Sequence, residues 1–184
     1  MNDIICPIVD YYLQKSIENK TNKRPIKIDP LMADPNQNSE EEWRTWFPID
    51  SKITDDQILA LEDKIGHKLS IDYILFLKHK HFYELQISEA TFCKHPINSW
   101  NKDLVKMIFN GYPKEYLIDR GLIPFADWSD WGHLCFDTNA GSSDNNYPIF
   151  IWDHDMPTDN QYFSHNFKSL MIKLGKEDKE SWGD

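Results

Sequence analysis

Apolar residues after position 53 recur at helical spacing. One face of the first such segment comprises Ile58, Leu61 and Ile65. Thr54 and Gln57 stand where a capping box closes the start of a helix, and Gly66 is the residue type that commonly ends one. The pattern therefore predicts a helix between Thr54 and Gly66.

A second helix should follow almost at once. Ser70 can cap it, and it should run from Ile71 to about Lys80. Its apolar positions form a wide stripe of Tyr73, Ile74, Phe76 and Leu77. A stripe of this width packs against other elements, so the two helices are expected to form a pair.

Helices are also predicted at both ends of the chain. Asn2 or Asp3 could cap the first, which reaches about Asn19. Its apolar stripe comprises Ile4, Ile8, Tyr11 and Tyr12. The last helix begins at Asn166 and should end at Gly175. Its apolar side comprises Phe167, Leu170, Met171 and Leu174. A less regular helix is expected between them, from Asn101 to Phe109.

After Gly121 the pattern changes to short extended segments separated by Gly, Asn, Ser and Pro. They comprise Leu122 to Phe125, His133 to Asp137 and Ile149 to Trp152. Such segments are typical of a meander of antiparallel strands. A further short strand is plausible from Glu84 to Ser88.

Residues 20–51 have the composition of a connector. They contain four Pro residues and the acidic run Glu40 to Glu42. Trp43, Trp46 and Phe47 interrupt this polar composition, so the end of the connector is expected to dock on the domain. The predicted organisation is an N-terminal helix and connector over residues 1–50, a domain over 51–175 and a charged tail over 176–184.

The charge is concentrated in one part of the chain. Residues 121–167, called here the acidic stretch, contain no Lys or Arg and seven Asp, while the whole chain has a formal net charge of −10. The seven are Asp127, Asp130, Asp137, Asp144, Asp153, Asp155 and Asp159. Trp128, Trp131 and Trp152 lie among them and add aromatic anchors of the kind found at protein interfaces. A one-sign stretch of this length predicts a negative potential and a basic partner.

Composition also excludes several classes of function. A sequence pI near 5.1 argues against direct binding of nucleic acid or of an anionic membrane. The apolar run from Ile4 to Val9 is broken by Cys6-Pro7 and is preceded by Asp3, so it does not resemble a signal peptide. We therefore expect a cytoplasmic protein.

The residue types that support catalysis form no recognisable motif. Cys6, Cys93 and Cys135 include no C-x-x-C pair, which favours structural thiols over a disulfide framework or a zinc site. A nucleophilic role for Cys135 and a hydrolase assembly of Ser142-Ser143 with His154 or His165 remain alternatives without support from spacing. We predict no catalytic residues and no cofactor.

Asp153-His154-Asp155 is the segment most suggestive of a metal site. Neighbouring residues on a strand point to opposite faces, so only the two Asp side chains can converge there. A complete site would also need His133 or Asp137. We predict no metal, and a role for Asp153 and Asp155 in turn hydrogen bonds and in the negative field.

Four pieces of the chain, taken in order, resemble one family. The pieces are Ile65 to Leu77, Gly121 to Asp137, Pro148 to Asp155, and the closing helix with Phe167 and Leu170. They are similar to the SUKH superfamily, which includes fungal cell-wall assembly regulators and many bacterial immunity proteins. The resemblance covers roughly Ile53 to Leu174. It implies an α+β domain, with a mixed or antiparallel sheet packed by helices, that acts by binding without catalysis.

Many bacterial members of that superfamily neutralise a toxin domain made by the same cell. Nuclease toxins are typically basic because they grip phosphates, and an acidic inhibitor can mimic the charge of the nucleic acid. The resemblance and the acidic stretch therefore predict an immunity protein whose partner is a basic, nuclease-type toxin domain. The alternatives are a non-catalytic adaptor or scaffold of the same fold and, third, a hydrolase or metal enzyme.

The predicted partner-binding residues lie in two segments of the acidic stretch. They comprise Asp127, Trp128, Asp130, Trp131, His133, Asp153, His154 and Asp155. The first segment falls in a predicted turn between strands, where functional residues are common. An alternative reading places Trp131 in the core and leaves the acids to solvate the turn.

Overall fold

The structure is a computed structural model that describes residues 4–38, 40–140 and 145–181, with side chains as far as residue 177. The described helices are α1 (Ile5–Glu18), α2 (Asp55–Ile65), α3 (Ile71–Leu77), α4 (Trp100–Asn110) and α5 (Phe167–Ser181). Four short strands form two ribbons, β1 (Lys23–Arg24) with β2 (Arg44–Thr45) and β3 (Ile49–Asp50) with β4 (Lys80–His81).

Six further strands form the main sheet. They are β5 (Gln86–Ile87), β6 (Ala90–Phe92), β7 (Leu122–Trp128), β8 (Gly132–Asp137), β9 (Ile149–Asp153) and β10 (Asn160–Ser164). The sheet has the order β10-β9-β8-β7-β6-β5, and every neighbouring pair is antiparallel. The α+β class and the antiparallel meander are therefore confirmed, whereas β6 and β10 were not predicted.

The predicted helix pair forms as its caps indicate. The hydroxyl of Thr54 accepts from the backbone N–H of Gln57, the Gln57 side chain accepts from the Thr54 N–H, and Gly66 ends α2 at φ 79°. Ser70 caps α3 through the N–H of Tyr73. The predicted end of α3 at Lys80 is wrong, because β4 pairs with β3 of the connector and the helix stops at Leu77.

The terminal helices depart from their predicted patterns. In α1 the buried residues are Ile5, Val9, Tyr12 and Leu13. Ile4 and Tyr11 of the predicted stripe are exposed. Ile4 occupies the N-cap position without a side-chain capping bond, and Asn2 and Asp3 lie outside the described residues.

At the other end, Gly175 does not terminate α5, which continues to Ser181. A glycine inside a helix costs about 1 kcal/mol, but α1 packs along α5 and tertiary packing outweighs that preference. The predicted apolar side of α5 is confirmed, since Phe167, Leu170, Met171 and Leu174 are all fully buried.

The inner face of the sheet holds an aromatic core beneath α3 and α5. Its central rings are Tyr73, Phe125, Phe136 and Phe167. Ring centroids lie 4.3 Å apart for Phe125 and Phe136 and 5.1 Å apart for Tyr73 and Phe167. These separations suit edge-to-face and tilted packing, which adds to the free energy gained from burial.

The connector packs against the domain at Trp46. This side chain is completely buried, and its ring centroid lies 6.0 Å from that of Tyr83. The Tyr83 hydroxyl accepts from the backbone N–H of Asp29 at 2.8 Å. Trp43 is 52% exposed, so of the two connector Trp residues it is Trp46 that anchors the segment.

Candidate functional site

Two turns of the acidic stretch lie side by side at one end of the sheet. The first, Ser129 to Trp131, joins β7 to β8, and the second, residues 153–159, joins β9 to β10. The carbonyl oxygen of Trp131 accepts from the N–H of His154 at 3.1 Å, and Gly132 pairs with Asp153 across the strands. The structure therefore brings together the two predicted segments. We call the two turns themselves, Ser129 to Trp131 and residues 153–159, the acidic turns.

The acidic turns are held by hydrogen bonds within the second turn and from the first turn to the neighbouring β5–β6 turn. Oδ1 of Asp153 accepts from the N–H of Asp155 at 2.7 Å, which is the turn role that the sequence indicated. Ser129 has a positive φ of 51° and donates its N–H to the carbonyl of Glu89 at 2.8 Å. Asp130 and Asp155 are exposed, and Oδ1 of Asp155 lies 3.5 Å from Nε2 of His154.

The eight predicted partner-binding residues differ in what they present to a partner. Asp130, His154 and Asp155 are exposed, while Asp127, Trp131 and Asp153 are half-buried. Trp128 is only 9% exposed, because its ring packs on Phe163 with centroids 4.7 Å apart. His133 is only 5% exposed. A partner could touch the first six directly, whereas Trp128 and His133 offer little surface.

Gly132 sets the separation of β8 and β9 next to these turns. A Cβ built on Gly132 would overlap the backbone carbonyl oxygen of Trp152. The conflict is with backbone, so a larger residue would have to push the two strands apart. The absence of a side chain at this position therefore keeps the acidic turns together.

A row of polar and aromatic residues crosses the outer face of the sheet behind the turns. Successive strand partners along this row are Thr91, Asp127, His133, Trp152 and Asn160. Nδ1 of His133 lies 2.9 Å from Oδ1 of Asp127, but the two are too poorly aligned for a hydrogen bond. Both ring nitrogens of His133 are buried and lack a hydrogen-bond partner among the described residues. Native interiors seldom leave such groups unsatisfied.

Tyr112 covers this row, and the sequence did not single it out. Its ring centroid lies 4.6 Å from that of His133 and 5.0 Å from that of Trp152. On its other side the ring lies parallel to His154, with centroids 6.3 Å apart. The available signal was a large aromatic residue between Gly111 and Pro113, which sequence reasoning used only as helix terminators.

Two hollows flank Tyr112. The larger, called here the α4 pocket, has a volume of about 520 Å³ between α4 and the outer face. Residues around it include Cys93, Lys106, Met107, Tyr112, Asp127 and His133. The smaller has a volume of about 280 Å³ and is lined by Tyr112, Pro113, Tyr116, Trp152, His154 and Pro157. Tyr112 forms a wall of both.

The thiols of this region are poor nucleophiles at neutral pH. Burial, together with the negative charges of Asp103 and Asp127, raises the pKa of Cys93 to about 12. Burial also raises the pKa of Cys135 well above its ordinary value. Both side chains are therefore protonated thiols rather than thiolates. Ser142 and Ser143, and with them the hydrolase assembly, lie outside the described residues.

Two negative findings apply to the described part of the chain. No group of three or more His, Cys, Asp or Glu side chains there could hold a metal ion. None of the helices in those residues has both the length and the apolar character that crossing a membrane requires.

Comparison with known families shows which family the chain belongs to. The model of the SMI1/KNR4 family (SUKH-1) matches residues 52–173, well over half of the chain. The chain belongs to the SMI1/KNR4 family. The predicted superfamily is thereby confirmed, and members of this family are generally non-catalytic. A search of the curated proteins finds no match.

The SMI1/KNR4 match places the site within the family domain. It begins just before α2 and ends in α5, so the acidic turns and Tyr112 lie inside it, as do the residues of the α4 pocket other than Arg24 and Ile26 of the connector. Helix α1 and the connector lie outside it, although both pack on the domain.

Proposed function

We propose that this SMI1/KNR4 protein is a cytoplasmic immunity protein that binds and neutralises a toxin domain made by the same cell, and that the toxin is a basic nuclease. The observation that carries the proposal is the meeting of the two acidic turns. Asp130 on the first turn and Asp155 on the second face solvent within one surface, and Trp131 lies half-buried beside them.

The charge distribution supports a basic partner. No Lys or Arg occurs within the acidic stretch, so histidine is the only basic residue type there that could neutralise the exposed carboxylates of the turns. A nuclease holds phosphates with Lys and Arg, and a surface that meets those residues blocks the substrate without any chemistry of its own. Charge of opposite sign also raises the association rate through steering.

The aromatic residues support a defined interface rather than a diffuse electrostatic one. Trp131 is half-buried against the core, and the rings of Tyr112 and His154 lie parallel on the adjoining surface. Rigid aromatic rings bury much area at small entropic cost, so they often supply the energetic centre of an interface. In this proposal the carboxylates guide the encounter and the aromatic rings hold the complex.

The experiment is a growth-rescue and binding assay against basic nuclease toxin domains from the source genome, beginning with any that are encoded next to this protein. Rescue, a stable complex and an association rate that falls with added salt are expected. The double variant Asp130→Lys/Asp155→Lys should associate at least about tenfold more slowly, because it reverses the charge of both turns.

A matched control carries the same charge change elsewhere. Glu40→Lys/Glu42→Lys alters two exposed residues of the connector and should leave the association rate within about threefold of the original. If both double variants slow association equally, net charge rather than the acidic turns is responsible. A complex that forms at the original rate in the first variant would rule out the turns as the interface.

A second candidate function is a non-catalytic adaptor or scaffold of the same fold. It is favoured by the groove between α1 and α5, where Ile4 and Tyr11 are 38% and 44% exposed, outside the family domain. An adaptor would bind several partners weakly and would fail to rescue growth. Loss of those partners on deletion of α1, with the toxin complex absent, would select this function.

A further inference from the structure

We propose that the α4 pocket receives an arginine side chain of the toxin, with Asp127 as its counter-ion and the buried His133 as a second acceptor. This inference rests on the proposed function and specifies the residue type that the partner contributes. It also extends the contact surface from the acidic turns into the space beneath Tyr112.

Of the carboxylates at the pocket, one has no Lys or Arg partner among the residues that the structure describes. Arg24 pairs with Glu84, and Nζ of Lys94 lies 3.3 Å from Oδ1 of Asp103. Among the described residues no Lys or Arg pairs with Asp127, whose side chain is 47% exposed. Since the other acids at the pocket are matched internally, an incoming cation has Asp127 as its site of attraction.

His133 is a second indication, independent of the charge of Asp127, that the pocket binds a hydrogen-bond donor. The side chain is only 5% exposed and lines the pocket, and within the described part of the chain neither ring nitrogen has a hydrogen-bond partner. Nδ1 lies 2.9 Å from Oδ1 of Asp127. In the tautomer protonated at Nδ1, the Nε2 atom carries a lone pair that can accept a hydrogen bond. A donor that bridges Asp127 and His133 would satisfy groups that the protein leaves unsatisfied.

The walls of the pocket suit a guanidinium group better than an ammonium group. Tyr112 stands over His133 with its ring at 76° to the imidazole, and Met107 provides apolar surface for an aliphatic stem. A planar guanidinium can stack on an aromatic ring while its N–H groups fork toward two acceptors, whereas an ammonium is a hydrated point charge. Tyr112 is 37% exposed and lies just beyond α4, so its ring can shift to admit the group.

The test uses N-acetyl-arginine methylamide as the probe and the citrulline analogue as its neutral isostere. The full chain is titrated while the ring signals of His133 and Tyr112 are followed by NMR. The arginine probe should shift both signals with a Kd on the order of 1 mM, and the citrulline probe should show no saturable shift. Equal binding of both probes, or saturable binding of N-acetyl-glutamate methylamide instead, would overturn the proposal.

Three variants locate the effect. Asp127→Asn should weaken the arginine probe at least about tenfold, while Asp155→Asn, on an acidic turn outside the pocket, should change its Kd less than about twofold. Lys106→Gln removes an exposed cation at the rim and should strengthen binding about twofold. This third variant tests the proposal by a gain in affinity for the arginine probe, which misfolding of the variant could not produce. Unchanged affinity in Asp127→Asn would show that the probe binds elsewhere.

Measurements with the toxin domain separate this inference from the proposed function. If the toxin complex forms and Asp127→Asn keeps its affinity, the immunity function stands and the arginine pocket is wrong. If no complex forms while the arginine probe still shifts His133, the pocket stands and the proposed partner is wrong.

Discussion

The two faces of the six-stranded sheet differ in how completely their side chains are satisfied. On the inner face Phe125 and Phe136 pack closely against each other and against Phe167 of α5. On the outer face Asp127 and His133 lie under a single loop residue, Tyr112, beside two hollows. One face is sealed and supplies stability, while the other keeps unsatisfied polar groups near solvent, where a partner can reach them.

Two buried histidines show the same difference. Nε2 of His95 lies 2.8 Å from the carbonyl oxygen of Leu77, and burial lowers the pKa of His95 to about 3. His133 is buried to a similar degree and has no hydrogen-bond partner in the described residues. His95 is therefore an ordinary structural histidine, whereas His133 is the kind of group that signals a binding site.

The largest expected effect compares one aromatic residue from each face. Phe167→Ala should lower the free energy of unfolding by about 4 kcal/mol, because it removes a fully buried ring from the inner core. Tyr112→Ala should cost only about 1 kcal/mol, since its ring is 37% exposed and makes a few edge contacts. Urea denaturation measures both values. Equal losses would mean that the outer face is as tightly packed as the inner one.

The next effect is a dependence of stability on pH. Below about pH 6.5 the unfolded chain gains a proton at His95 that the folded protein does not accept until about pH 3. Stability should therefore fall as pH falls, by about 2 kcal/mol between pH 7 and pH 5 from this group alone. His81, whose pKa is also lowered by burial, contributes in the same direction.

A variant isolates that contribution. His95→Phe should flatten the change in unfolding free energy between pH 7 and pH 5 by about 2 kcal/mol, whereas His165→Gln, at an exposed position, should leave it as it was. Other titrating groups are common to both variants and cancel in the comparison. An unaltered slope in His95→Phe would contradict the low pKa of His95.

The smallest effect sharpens the contrast between the two histidines. At pH 7, His95→Phe should destabilise the fold by about 1 kcal/mol, because it removes one of the two donors to the carbonyl of Leu77 and leaves only the hydroxyl of Ser51. His133→Phe should be neutral or stabilising by about 1 kcal/mol, because it removes two buried polar atoms that have no hydrogen-bond partner in the described structure. Thermal denaturation measures both. A large loss in His133→Phe would mean that this side chain is structural.

Sequence reasoning succeeded where a structure depends on nearby residues. The capping box of Thr54 and Gln57 and the cap at Ser70 formed as predicted, because each requires partners within three residues. The buried side of α5 also followed from its periodicity alone. The meeting of the acidic turns was anticipated only as two separate segments, since their contact depends on the register of β8 and β9.

Predictions from the sequence were wrong or missing where contacts between distant parts of the chain decide the local structure. Helix α3 stops early because β4 pairs with a strand 30 residues away in the connector, Asp50 to Lys80. Strand β10 is a polar, largely exposed edge strand, so it lacks the alternation that marks most strands. Tyr112 reaches the outer face only through the packing of α4, and no local pattern reports that position.

Gly132 has a consequence for how this surface can diversify. Every other residue carries a Cβ, so a saturation scan should find this position intolerant to every substitution, alanine included. Asp130 and Asp155, in contrast, project from the turns and can be exchanged at little cost to the fold. A lineage that must follow a changing partner could therefore rewrite its recognition residues freely, provided that one position without a side chain stays constant.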